Sequence, residues 1–318
     1  MLRHRGHRHS GPVRDLKLGE LRQALRVQTT AKEIKLDHVA KGDFSELLKA
    51  PKLEIFLRWL IYQGHHVHYF ALDPLYWSTV DIIDSILTEH GEATLMMANW
   101  DLKNALYTIL RHDLDDTVKL FQRYTYPDVG RDRRRMFIEE VRARLDARFH
   151  LLDHFNAMML KGVLQIAEKL DALPYLEDET PNVLIDGFGP FFIGRICLFK
   201  NSMHIFDVEK VIEDYIGQQK FVDGDRTLDI YRFATSHDEA GVQISDVVAG
   251  LLGKLFSMVQ RNSSEELDRV RSGFTSQQQR NHAMIRQLLD RSVEENAAFA
   301  HYVLSIEDQN RAAIFLSE

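Results

Sequence analysis

Cysteine is almost missing from this chain. Cys197 is the single cysteine among 318 residues. No disulfide can form within the chain, and a zinc site built on cysteine is excluded. That usage fits a reducing compartment, so the expectation is a cytoplasmic protein. Uninterrupted apolar runs are short as well: none approaches the roughly 18 residues that a membrane span needs, and no span is expected. A basic excess is also lacking. Lys plus Arg is 40 against 47 Asp plus Glu, a formal charge of −7. The chain as a whole has no pull toward nucleic acid, and any such contact must come from a local patch. There is no Walker loop, no dinucleotide-binding glycine turn and no nucleophile elbow. Nucleotide cofactors and serine-hydrolase chemistry therefore lack support. No internal repeat and no long linker marks a second independent domain. The opening MLRHRGHRHSG is basic, with no apolar stretch behind it, and does not read as a secretory signal.

What is present is an ordinary globular balance, 45% hydrophobic and 27% charged residues, which excludes wholesale disorder. Asp43 with Glu46, and Ser263 with Glu266, have capping-box spacing at helix starts. HHVHYFALD, SMHIF and TLDIYRF read as strands. NVLID (residues 182–186) reads as a central strand, because Val183, Leu184 and Ile185 form a continuous apolar run. FFIGRICLF, DVEKVIEDYIG and GVQISDVVAGLLGKLF read as helices. Strands alternating with helices predict an α/β sheet domain spanning 1–318, with a helical insertion at 91–181 and a C-terminal helical extension at 261–318. Within the insertion, Phe137, Val141, Leu145, Phe149, Leu152, Phe155, Met159, Val163, Ile166 and Leu170 recur at three and four. This stripe predicts one helix of roughly 35–40 residues, about 55 Å long. It would serve as an antiparallel hairpin or as a homodimer seam. The Arg/His arm formed by Arg3, His4, Arg5, His7, Arg8, His9 and Arg14 is read as a frayed end or as a metal- or phosphate-binding tract.

Several residues are candidates for chemistry. Gln243, Asp246 and Gly250 fall at i, i+3 and i+7 on a strongly apolar helix, so they share one stripe. A carboxylate there faces a cleft or the core, and in the core it needs a partner. It is read either as a metal ligand or as a hydrogen-bonded structural Asp. Asp186 ends the predicted central strand beside Gly187, where open α/β sheets bind ligands; an Asp-Gly turn is the other reading. Beside His237, either Ser236 or Asp238 caps the Gln243 helix, or Asp238 or Glu239 completes a carboxylate cluster with Asp246. Glu33 and Lys35 are two apart in an extended stretch and point to one side, as a surface ion pair or as a carboxylate beside a phosphate-binding cation. His66 and His68 with Asp73 form a weaker metal pattern. Acidic groups with no cysteine suit hard cations, Mg²⁺ or Mn²⁺, which in pairs drive phosphodiester cleavage.

The segment SHDEAGVQISDVVAG (236–250) resembles the closing motif of the domain-of-unknown-function family numbered 3800, in which a Gly-Ile/Val-Gln-x-Ala-Asp run opens the last core helix. Gln243 and Asp246 match it, with Ser245 in place of Ala. AKEIK resembles the family's Glu-Leu-Lys motif at Glu33 and Lys35, and NVLIDG resembles its central strand at Asp186. The resemblance implies a ribonuclease H-like fold with a mixed sheet, a carboxylate-bound Mg²⁺ or Mn²⁺ and nuclease activity on nucleic acid. The implied set is Glu33, Lys35, Asp186, Asp238, Gln243 and Asp246, with Asp186, Asp246, Glu33 and Asp238 on the metal. Two departures stand out. The family's opening strand, ending in Asp-x-Ser-Gly, has no counterpart here. Its Asp-Ser-Lys element aligns with Thr235 and Ser236, so only the Ser matches. A catalytically inactive scaffold or partner-binding protein is the alternative.

Overall fold

A computed structural model describes residues 17–317. The Arg/His arm lies outside the described residues. The chain is mostly helical with a few short strands, an α/β composition. The described residues divide into two compact units: 17–71, 187–301 and 310–317 belong to the first, and 72–186 and 302–309 to the second.

In the first unit local signals and burial agree. Asp43 accepts a hydrogen bond from the Glu46 backbone N–H (2.9 Å) and starts the Phe44–Leu48 helix. Pro51, whose missing N–H costs nothing in a first turn, opens the Pro51–Tyr62 helix. Ser263 and Glu266 form the reciprocal capping box at the head of Ser264–Ser272, and Thr275 with Gln278 repeats it at the head of Ser276–Glu295. The apolar faces of these helices enclose Ala240–Arg261. Ile244, Val247, Leu251 and Leu255 of that helix are buried against Leu47, Leu53, Leu57 and Leu288. Each such side chain contributes about 1.5–3 kcal/mol by leaving water. Among the described residues Ala240–Arg261 is the one helix long and apolar enough, by length and composition, to cross a membrane. Here half of its apolar window is buried in the protein, as in a core helix.

Two short parallel strands, His204–Asp207 and Tyr231–Ala234, pair with His204 opposite Tyr231 and Asp207 opposite Ala234. They pack beside a satellite core of Ile196, Ile212, Ile216 and Ile230. Val222–Asp223 and Arg226–Thr227 make a hairpin around Gly224, which has φ +60°. Tyr69–Leu72 pairs with Ala300–Val303. The strand predicted across HHVHYFALD thus shrinks to its last residues. The histidines before it instead pack among aromatic rings, His68 lying 5.0 Å from Phe199 and 5.7 Å from Phe299.

The second unit is a helical cluster. Its core joins Ile82, Ile86, Leu106, Leu110, Phe137, Val141, Leu160 and Val163. The single long helix expected over 133–170 is two helices, Arg131–Ala147 and His154–Ala167, with a 3₁₀ turn at Phe149–Leu151 between them. The break has a local cause: Leu152 is extended, and Asp153 caps the second helix by accepting from the Asn156 N–H (3.0 Å). The two helices pack on each other as a hairpin. Phe137, Val141, Leu145 and Val163 of the stripe are used in this unit's own core, whereas Phe155 and Met158 face outward.

The predicted central strand NVLID is not a strand. Asn182 (φ 61°) and Gly187 (φ 107°) bracket it with left-handed turns, and the Asn182 N–H is bonded to the Thr125 carbonyl. Its apolar residues are half-buried loop residues, with Leu184 packed on the core.

Asp81 lies half-buried on the Pro74–His90 helix. Burial first, then the charges of Asp84 and Glu179, push its carboxyl up to about 7, against the pull of Lys103. Lys103 is itself held by Asp84 at 2.8 Å.

Candidate functional site

The stripe read from the Ala240–Arg261 helix meets one strap of chain, residues 33–36. Gln243, buried in the first turns of the helix, accepts a hydrogen bond through Oε1 from the Ile34 backbone N–H at 3.0 Å. Two turns on, Gly250 lies against Leu36, so close that a Cβ at position 250 would come within 3.0 Å of Leu36 Cδ2. Ile34 is buried in the core. The strap is extended at Lys35 (φ −116°, ψ 164°), and Glu33 and Lys35 pair at 2.9 Å from Nζ to Oε1. Ser236, in the loop that leads into the helix, donates from Oγ to Glu33 Oε2 at 2.5 Å.

Between Gln243 and Gly250 stands Asp246, which faces solvent rather than the core. A cleft-side carboxylate was one of the two readings of this stripe, and exposure removes the need for a buried partner. Partial shielding raises the Asp246 carboxyl above the ordinary carboxylate value, and the charges of Asp207 and Glu33 raise it further; Lys35 opposes them. The Glu33 carboxyl is lowered by the Ser236 hydroxyl first and by Lys35 next. The Lys35 ammonium is raised by Glu33 chiefly, with Asp246 and Asp207 adding to the effect. Three carboxylates and one ammonium therefore share a field with an excess of negative charge.

Asp207 is the member that the sequence reading missed. It is the last residue of the strand His204–Asp207, the place where α/β sheets present ligand-binding groups. The same rule, applied to SMHIFD instead of NVLID, finds it. The helix Ala240–Arg261 packs on this strand, which brings Asp207 and Asp246 to one neighbourhood.

Asp238 is exposed and engaged within its own turn, accepting from Thr235 Oγ1 at 2.5 Å and meeting His237 at 3.4 Å. Glu239, at the N-cap position, pairs with Arg232. Asp186 is exposed, in a bend, and ends the 72–186 stretch of the second unit. Asp73, also in the second unit, caps the Pro74–His90 helix by accepting from the Leu75 and Tyr76 N–H groups. His68, beside its two phenylalanines, is pushed down to about 4, mainly by burial.

Glu33, Asp207 and Asp246 match a hard divalent cation in donor type and charge, having oxygen donors only. Their spacing as it stands does not close into a coordination shell: among the described residues, no three His, Cys, Asp or Glu side chains form a group able to hold a metal ion. In comparisons with known proteins, no family model, no curated protein and no solved structure matches this chain.

Proposed function

We propose that the first unit carries a divalent-cation-dependent phosphodiester hydrolase centre of ribonuclease H-like type, formed by Asp246, Asp207 and Glu33. The observation that carries this reading is the shared field of the three carboxylates, acting on Asp246 from a strand end and from the pinned strap. The order of parallel strands followed by a core helix also supports it. Asp186 and Asp238, which the family resemblance would add, are left out of the set: Asp238 is engaged by Thr235 and His237, and Asp186 belongs to the second unit.

Mg²⁺ or Mn²⁺ at this place would polarise a phosphoryl oxygen and lower the pKa of bound water. The protein's own groups have separate tasks. Asp207 and Asp246 would hold the ion, and Glu33, kept ionised by Ser236 and Lys35, would complete its charge balance. Lys35, with more than half of its side chain exposed, would take a non-bridging phosphate oxygen. Nucleic acid is the substrate class proposed. The test is cleavage of bis(p-nitrophenyl) phosphate and of labelled single- and double-stranded DNA and RNA by the full chain with Mn²⁺. Cleavage should require the ion and fall about a hundredfold or more in Asp246→Asn and Asp207→Asn. A wild-type protein inert on every substrate, or variants as active as wild type, refutes the reading.

A catalytically silent scaffold of the same type is the second reading, favoured by the open spacing of the carboxylates. A homodimer through the stripe would have Phe155 as its exposed residue, with Met158 beside it, because Phe137, Val141, Leu145 and Val163 are already buried in this unit's core.

A further inference from the structure

We infer that Gln243 is a positioning residue: it sets the place of Glu33 and Lys35 by holding the peptide unit between them. It touches neither side chain through any hydrogen bond described above. Its Oε1 takes the Ile34 N–H at 3.0 Å across 209 residues of sequence, in a buried setting. Successive side chains of an extended strap point to opposite sides. With Ile34 fixed in the core, Glu33 and Lys35, paired with each other at 2.9 Å, share the side away from it. Without an acceptor at position 243, the Ile34 N–H would be left unpaired inside the core. The strap would lose its backbone anchor to the helix and keep only side-chain holds, Ser236 on Glu33 and Leu36 against Gly250. Gln243 thus acts on the proposed centre at one remove, as partners of metal ligands do.

This role rests on the hydrolase reading for its consequence but not for its geometry, and the two can be tested apart. Gln243→Met keeps the length and apolar stem and loses the acceptor. Gln243→Glu keeps an acceptor. Val242→Ala, on the same helix and also buried, controls for general destabilisation. Amide hydrogen exchange at Ile34, read by NMR on the full chain, should speed up markedly in Gln243→Met and stay slow in Gln243→Glu and Val242→Ala. Mn²⁺ affinity by calorimetry should drop about tenfold in Gln243→Met only. Unchanged Ile34 exchange in Gln243→Met overturns the positioning role whatever Mn²⁺ does. Equal Mn²⁺ loss in Val242→Ala overturns it too. If wild-type protein takes up no Mn²⁺, the hydrolase reading fails alone, and the positioning role is decided by the exchange data.

Discussion

Replacing Asp81 by Asn should make the protein more stable at pH 8 and change it far less at pH 4.5. In the folded chain the Asp81 carboxyl titrates near about 7, against an ordinary value of 3.8, because burial and the neighbouring Asp84 and Glu179 disfavour its charge. The native state therefore keeps a proton that the unfolded chain has given up. Stability from this group is fully present below about pH 4 and is lost as pH rises toward about 7, above which the loss is constant. Each unit of displacement corresponds to about 1.4 kcal/mol. The rise from 3.8 to about 7 sets an upper bound of about 4 kcal/mol, and partial exposure reduces this to about 2–3 kcal/mol. Asn imitates the protonated acid and cannot ionise, so it escapes the loss. Urea unfolding of both proteins at pH 4.5, 6 and 8 reads the difference directly, with stability extrapolated to water. The gap in favour of Asp81→Asn should widen with pH. A gap that is the same at all three values would show that Asp81 ionises normally and that the crowding of carboxylates around it carries no cost.

Two further outcomes follow from the first unit. Leu255, buried without exposure in the Ala240–Arg261 helix, should cost about 2–5 kcal/mol when changed to Ala, as measured by urea unfolding; a loss under about 1 kcal/mol would mean that this helix is not the core element described. His68, depressed to about 4 chiefly by burial, resists a proton that the unfolded chain accepts near its ordinary 6.5. Its contribution is present above about pH 6.5 and is lost as pH falls toward 4, by up to about 3 kcal/mol. His68→Phe should flatten that acid limb of the stability profile, and an unchanged limb would contradict the assignment.

How far the sequence could be read depended on the kind of signal. The spacing of Gln243, Asp246 and Gly250 placed them on one stripe, and all three contribute to one neighbourhood because an α-helix leaves little freedom in which face a residue takes. The Ser263–Glu266 capping box was equally legible, since both hydrogen bonds lie within four residues. The long helix misled because its apolar period survives the break: Phe137 and Val163 face the same core from two helices. Only the capping residue Asp153 marks the interruption, and an acidic residue is unremarked in the middle of a helix. NVLID misled for a different reason. A short apolar run suits a covered strand or a packed loop equally well, and the left-handed Asn182 that decides for the loop has no distinctive neighbour in the sequence. Asp207 was passed over because it reads as the start of the helix DVEKVIEDYIG, whereas it ends the strand before it, a boundary fixed by its long-range pairing opposite Ala234.

Titration of Mn²⁺ into the 318-residue chain by calorimetry, with Asp246→Asn and Asp207→Asn run beside it, addresses the carboxylate neighbourhood most directly. Saturable uptake by the wild type, lost in each variant while circular dichroism and melting temperature hold, is the expected result. Uptake that persists unchanged in both variants, or no uptake by the wild type at millimolar Mn²⁺, would contradict it.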